Sequence, residues 1–408
     1  MNLPLFIARR YMLRQKGRFS SFIIKLAIAA TGISVATMLL AVAVVTGFKY
    51  EVREKLFSFW GHIQIEPYSV TGSVLTPQPI RMDKLLEGQV STTPHVQQML
   101  PFAVRPAILN AHQTTEGIQL KGVDKKYTLP ANVEVKGKYI NYTDSDYAKE
   151  IMLSATTANR MLLNVGDDLH VYFLEPGATM PRIRKLRVSG IYHTGMEEID
   201  KSYALCDLRL LQRINNWQPD EISGYQIVID NEQLADTLAN QLFHSYVKPP
   251  LTTYTMMDIF PNIFSWLDMQ DVSTGVIITI MAVVAIINLA VALLILIVEQ
   301  VRMIGVLKAQ GMAHSAIQKI FLYHTGVIAG AGILAGNILA LGIYILQKKT
   351  GFIKLTEATY AMKYVPLRLY WWHVAVIDVA TLLLCILCMW LPSLYIRRIQ
   401  PARVLQFK

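Results

Sequence analysis

An α-helical membrane protein with four transmembrane helices, one before and three after a large α+β extracytoplasmic domain, is the architecture this sequence predicts. Three observations carry that prediction. Of the 408 residues, 53% are hydrophobic and 17% charged, whereas ordinary soluble proteins carry about a quarter charged residues, so part of the surface must meet lipid. Four apolar stretches, Leu26 to Gly47, Thr274 to Val298, Ile320 to Leu346 and Trp372 to about Ile396, each supply the roughly 20 helical residues that cross a hydrocarbon core of about 30 Å. Between the first two lies a polar segment, residues 48–271, with 21 Lys and Arg against 26 Asp and Glu, net −5.

Residues 1–25 predict a cytoplasmic elbow helix. Leu3, Phe6, Ile7, Tyr11, Met12, Leu13, Phe19 and Phe22 are interspersed with six basic residues (Arg9, Arg10, Arg14, Lys16, Arg18 and Lys25) and no acid, a mixture suited to an amphipathic helix in the inner headgroup layer. The overall net charge of +10 thus collects beside membrane spans, with Arg397, Arg398, Arg403 and Lys408 in the tail. There it fixes orientation by the positive-inside rule and can bind anionic lipid headgroups; membrane lipid, and no nucleic acid, is the expected contact. Residues 26–47 form the first span. Ala41-Val42-Ala43 fits a cleavage pattern, but the apolar run exceeds the roughly 7–15 residues of a signal h-region, so a retained signal anchor is predicted.

Residues 48–271 predict the outer domain. Short β-branched runs at 62–66, 118–123, 169–174, 186–192 and 225–229, bounded by Gly, Pro or Asp, read as strands. Segments 154–163, 207–215 and 232–246 have helical apolar spacing behind polar starts. The segment is long enough for one large domain or two subdomains. Cys206 is its one cysteine, which excludes an intrachain disulfide within it.

Residues 272–298 form the second span, 299–319 a cytoplasmic loop, 320–346 the third span, 347–371 an outer loop, 372–396 the fourth span and 397–408 a cytoplasmic tail. The third span carries Gly326, Gly330, Gly332, Gly336 and Gly342. Two small-xxx-small pairs, 326/330 and 332/336, let helix backbones approach where lipid offers no hydrophobic drive. Asn288 and Asn337 are expected to hydrogen-bond between helices. Asp378 lies about 9 Å along the helix from Trp372, within reach of interfacial water. Cys385 and Cys388 have C-x-x-C spacing, but their Leu, Ile, Met and Trp neighbours give none of the electropositive setting that activates thiolates, so both are expected to be small buried hydrophobes. The outer loop opposes the charge rule: Lys348, Lys349, Lys354, Lys363 and Arg368 stand against Glu357 alone.

Neither a nucleotide-binding loop nor a zinc-protease or serine-hydrolase motif occurs, and the nine histidines show no ligand pairing. No catalytic residue, metal ligand or bound cofactor is expected; energy must come from a partner. The loop Glu299 to Met312 has helical character, is unusually apolar for the cytoplasm and ends at Gly311 as a C-cap. An exposed apolar face on such a helix implies a protein partner.

Several segments are distinctive together: Ile7-Ala8-Arg9-Arg10-Tyr11, Gly32-Ile33-Ser34-Val35-Ala36, Thr46-Gly47-Phe48, Gly122-Val123-Asp124, Ala158 to Asp167, the Glu299 to Gly311 loop, and Ile399 to Leu405 with its closing Pro-Ala-Arg-Val-Leu. In these, and nearly end to end, the sequence resembles the lipoprotein-releasing transmembrane proteins LolC and LolE, within the wider FtsX/MacB-like permease superfamily.

The resemblance implies a permease of the bacterial inner membrane, multi-pass with both termini cytoplasmic. It would pair with a second permease subunit as a homodimer or heterodimer and seat its loop helix in an ABC ATPase subunit that binds ATP and Mg. Coupling would fall to Glu299, Arg302, Met303, Gly305, Val306, Lys308 and Gly311; Met303 stands where relatives carry an acid. A lipoprotein would leave the outer leaflet past Leu40, Val44, Phe48, Val276 and Ile280 and pass to a periplasmic carrier. Pro176, Gly177, Met180, Pro181 and Arg182 lie in the connection matching a carrier-contact hairpin, here shorter. Two alternatives stay open: an FtsX-like regulator of a cell-wall hydrolase, and a MacB-like exporter of peptides or toxins.

Overall fold

In a computed structural model, which describes residues 18–68, 78–129, 133–143, 146–175, 180–355, 362 and 364–388, the first apolar run belongs to a single 43-residue helix, α1 (Arg18–Trp60). It continues well past Gly47 because the next residues change character without losing helical spacing. Phe48, Val52, Leu56, Phe59 and Trp60 recur every three to four residues between Lys49, Glu51, Arg53, Glu54 and Lys55, the pattern of a half-buried amphipathic helix.

The polar segment then forms β1 (Ile63–Pro67), β2 (Ile80–Arg81), α2 (Lys84–Ser91), β3 (Val96–Ala111), β4 (Thr114–Val123), β5 (Glu134–Gly137), β6 (Glu150–Ser154), α3 (Ala155–Arg160), β7 (Asp168–Phe173), β8 (Arg182–His193), α4 (Glu197–Ser202), β9 (Tyr203–Asp207), α5 (Leu208–Asn215), β10 (Glu221–Ile222), β11 (Gly224–Ile229), α6 (Ala235–Ser245), β12 (Leu251–Thr255) and α7 (Met256–Ile259). Side chains start several of the helices. Asp83 accepts from the Leu85 and Leu86 N–H groups at α2, Ser154 from Thr157 N–H at α3 and Asp207 from Arg209 N–H at α5, each cap contributing about 1 kcal/mol.

The main sheet runs β12-β1-β11-β3-β4-β9-β6-β8-β5, with β7 pairing both β3 and β8. That double pairing closes β3, β4, β9, β6, β8 and β7 into a ring, which removes the open edges that would otherwise recruit foreign strands. Its core includes Leu109, Leu120, Ile151, Leu153, Leu169, Val171, Leu186 and Val188, all nearly or fully buried. β1, β11 and β12 extend the sheet antiparallel from β3.

The strands β4, β8 and β11 cover three of the five runs read as strands from the sequence, β1 and β7 cover the other two except His62 and Leu174, and α3, α5 and α6 fall within the three helical segments. The longest strand escapes that reading. β3 contains Pro101 and Pro106, opposite Tyr225 and Gln119 respectively, and proline lacks the N–H that a ladder requires. Segment 154–163 is helical only through Arg160, since Leu162 adopts φ 54°.

After the polar segment come α8 (Pro261–Glu299), α9 (Val301–Ala309), α10 (His314–Thr350) and α11 (Trp371–Cys388). Helices α1, α8 and α10 are each long and apolar enough to cross a membrane, and α11 is a shorter apolar helix as far as the chain is described. The expected elbow before residue 18, the end of the fourth span beyond residue 388 and the 397–408 tail lie outside the described residues. Two compact units result, one built from residues 1–49, 266–354 and 364–408, the other from 50–265 and 355–363.

Candidate functional site

The loop between α8 and α10 folds as the nine-residue helix α9. Gly311, at φ 86°, ends it: Gly311 N–H donates to Lys308 O and Met312 N–H to Leu307 O, both at 3.0 Å, the paired bonds that terminate a helix on a left-handed residue. Ile304 is fully buried with Ile297, Ile317, Phe321 and Ile328, and Val301, Met303, Leu307 and Met312 pack against that cluster. The apolar face expected to be free is therefore mostly turned inward, because α8 and α10 supply a cluster that a sequence window cannot see. Arg302, Val306, Ala309 and Gln310 are exposed, at spacings of four, seven and eight, which places them on one outward strip. Glu299 is also exposed, Gly305 is buried, and Lys308 is half-buried.

Within the same unit, α10 crosses α1 at the second glycine pair. A Cβ on Gly332 would lie 2.8 Å from Thr31 Cβ, and one on Gly336 would lie 2.7 Å from the Gly32 carbonyl oxygen and 2.8 Å from Val35 Cβ. The segment Gly32 to Ala36 is thus a backbone crossing point, where small residues allow contact. The first pair behaves differently: among the described residues, no atom from beyond the helix's own adjacent backbone lies within 4 Å of a Cβ on Gly326 or Gly330. Asn337 Nδ2 donates to Asp378 Oδ2 at 2.7 Å, joining α10 to α11; this is where the half-buried Asp378 carboxylate is held. Asn288 is half-buried on α8.

Gly47 has an equally specific reason. The chain at 366–368 runs against α1, so that a Cβ there would overlap the Pro366 carbonyl oxygen, and Arg368 N–H donates to Ala43 O at 2.9 Å. Phe48 meets Trp266 edge-on at 5.3 Å, and Lys49 pairs with Asp271 at 2.6 Å. Leu40 packs against the buried cluster of Val35, Met38, Leu39 and Ala340, to which Ile278 and Met281 of α8 are also joined, while Val44 and Phe48 are half-buried. Val276 and Ile280 are each 53% exposed and do not join that cluster. The five residues therefore divide between a packed α1–α8 contact and an open face of α8.

In the other unit, β7 and β8 form an antiparallel hairpin whose last described pair is Phe173 with Arg182. Pro176 and Gly177 lie outside the described residues; Met180 is 83% exposed and Pro181 is exposed. Arg182 fixes the base of the hairpin: its Nε pairs with Glu175 at 2.7 Å, and its Nη1 donates to Ile214 O at 2.8 Å.

Lys121 was not singled out from the sequence, yet it is the most unusual side chain in this unit. It is fully buried, and its Nζ donates to the Phe59 carbonyl oxygen and to Gln226 Oε1 at 2.6 Å. Its Nζ lies 4.2 Å from the Trp60 ring centroid, 4.7 Å from Phe59 and 4.8 Å from Tyr127. Phe59 O belongs to the last turn of α1, whose carbonyls lack helical partners, and Tyr127 OH donates to it as well at 3.1 Å. Burial pushes the Lys121 pKa well below its ordinary value; the ring faces and the oxygens favour the charged form. Burial also raises Glu66, on β1, to about 7 and lowers His62, the residue before that strand, to about 4. The sequence cue was faint: Lys121 interrupts the apolar run Ile118 to Val123, and alternation alone reads it as a solvent-facing position.

Comparison with known proteins supplies the wider context. Residues 26–242 match the MacB-like periplasmic core domain, and residues 275–401 match the FtsX-like permease C-terminal region. The chain is 24% identical to the lipoprotein-releasing system transmembrane protein LolE of Haemophilus influenzae, over 99% of each chain. It is 24% identical to a LolC of Xylella fastidiosa over 100% of this chain and 99% of that one, and 22% identical to LolC of Neisseria meningitidis over the full length of both.

Proposed function

The chain belongs to the FtsX/MacB-like permeases, as a non-catalytic, multi-pass transmembrane subunit with a periplasmic domain, and on that premise we propose that it extracts lipoproteins from the outer leaflet of the bacterial inner membrane. A separate ABC ATPase drives the step, a second permease subunit completes the complex, and the lipoprotein passes to a periplasmic carrier. Both termini are cytoplasmic. The observation that carries this reading is the similarity to LolE and LolC, which spans 99–100% of this chain and 99% of each of those relatives.

The physical arrangement supports it in three ways. Helix α9 is held by Ile304 and stopped at Gly311, so a push on its outward strip passes into α8 and α10 rather than being lost in a flexible loop. Thr31, Gly32 and Val35 mesh with Gly332 and Gly336, so α10 cannot shift without moving α1. The exposed Val276 and Ile280, with Val44 and Phe48 on α1, offer an apolar track for acyl chains. Glu299, Arg302 and Val306 are the contacts with the ATPase, Met303, Gly305, Lys308 and Gly311 shaping the helix that presents them, and the tip of the β7–β8 hairpin around Met180 and Pro181 faces the carrier.

Reversing the charge at Arg302 tests the coupling. Arg302→Glu puts an acid on the outward strip without touching the Ile304 cluster, and co-purification of the ATPase subunit is expected to fall by roughly tenfold or more. Undiminished association would remove α9 as the docking helix.

A further inference from the structure

The predicted outer loop carries more positive charge than the orientation rule allows, and its described part is a built structure. Gln347, 3% exposed, is the staple. Its Nε2 donates to Ile353 O at 3.1 Å and to Val365 O at 3.2 Å, and its Oε1 accepts from Ile353 N–H at 2.9 Å. Gly351, at φ 56°, ends α10 and lies against the Tyr364 ring, and Lys354 forms a bridge with Tyr364. This tight turn presents Lys348, Lys349 and Lys354, all exposed, and no described carboxylate lies within ion-pair distance of them. The same turn exposes apolar and aromatic side chains, Phe352 at 51%, Ile353 at 41% and Tyr364 at 49%, and Trp371, the first residue of α11, is 82% exposed.

Three cations and an exposed aromatic belt at the end of a span are the two halves of an interfacial lipid site. Aromatic rings settle at headgroup depth, and lysines there are neutralised by anionic headgroups. With the domain before α8 in the periplasm and both α8 and α10 crossing the bilayer, this turn returns to the periplasmic face. We propose that the described residues at the two ends of the α10–α11 connection are a binding site for anionic phospholipid in the outer leaflet, with Lys348, Lys349 and Lys354 holding the phosphate and Phe352, Tyr364 and Trp371 seating the acyl–glycerol region. Anionic lipid would thereby match the charge of these three lysines on the outer side. The inference rests on the crossing of α8 and α10, not on which substrate the permease moves.

The test uses the full-length chain in nanodiscs containing lipids with brominated acyl chains, which quench tryptophan on contact. The signal from Trp371 and Trp372 is isolated by subtracting that of the W371F/W372F variant. Brominated phosphatidylglycerol is expected to quench with an apparent association about tenfold stronger than brominated phosphatidylcholine, an electrostatic preference of the size several lysines at a surface produce. In the K348Q/K349Q/K354Q variant the ratio is expected to fall to within about twofold of unity. These lysines are exposed, so helical content by circular dichroism should be unchanged. A phosphatidylglycerol preference that survives the triple substitution, or is missing from the wild type, overturns the proposal. So does carbodiimide crosslinking of these lysines to carboxylates of a partner chain with no lipid preference, which would assign the turn to an acidic protein surface.

Discussion

Lys121→Ala is expected to destabilise the periplasmic domain by about 3–5 kcal/mol, the largest single-residue effect in that unit. Two costs combine. Losing the stem beyond Cβ opens a cavity beside Trp60, Phe59 and Phe102, and large-to-small changes in cores cost about 2–5 kcal/mol. Losing the amine leaves Gln226 Oε1 and a terminal carbonyl of α1 buried with fewer donors, about 1–3 kcal/mol for each stranded group. Lys121→Met separates the two by keeping the volume and removing only the donor, and is expected to cost about 1–3 kcal/mol. Pulse proteolysis of the full chain across a urea series measures both, with Lys125→Met, at an exposed position, as the neutral control. The sign of the pH dependence is a further check. A lysine held below its ordinary 10.5 in the folded state takes up protons more readily when unfolded, so wild-type stability rises as pH climbs toward 10.5. The Met variant lacks that contribution.

The second large effect is expected at the α1–α10 crossing. A methyl group at Gly336 would fall 2.7 Å from the Gly32 carbonyl oxygen, a backbone atom that cannot rotate away, so Gly336→Ala must push the two helices apart. Overpacking of this kind costs about 1–3 kcal/mol, and a crossing in lipid has no hydrophobic drive to restore the contact. Gly330→Ala, one turn and a half away on the same helix, adds its methyl to open space and is expected to be neutral or slightly stabilising through helix propensity. Thermal inactivation midpoints of the two variants in one detergent give the comparison. A loss at Gly330 equal to that at Gly336 would show that glycine content of the helix, and not the crossing, sets its stability.

Those two glycines also show how far the sequence reaches. Gly326/Gly330 and Gly332/Gly336 share one spacing, yet only the second pair meets Thr31, Gly32 and Val35; the pattern marks a helix able to pack and leaves the partner unnamed. Hydropathy finds the membrane pieces of α1 and α8 but not their full lengths, because Phe48 to Trp60 is amphipathic and Pro261 to Asp271 is polar, so neither raises an apolar window. The strand β3 is hidden by Pro101 and Pro106, whose missing N–H groups argue against a central strand. Helix α9 was legible as a helix ended by Gly311, but which side of it is buried depends on Ile317 and Phe321 of the following helix. Lys121 could not have been read at all without β11 and the end of α1, since a lysine is buried only when distant residues bring oxygens and rings to it.

The most direct test of the proposed function is release of a triacylated lipoprotein from proteoliposomes that contain this chain, a second permease subunit and the ABC ATPase. Release onto a soluble carrier is expected to require ATP, to stop when this chain is omitted and to fall sharply with Arg302→Glu, while the lipoprotein stays in the vesicles whenever the carrier is absent. ATP turnover by the intact complex with the lipoprotein still in the membrane, in the presence of the carrier, would contradict the account.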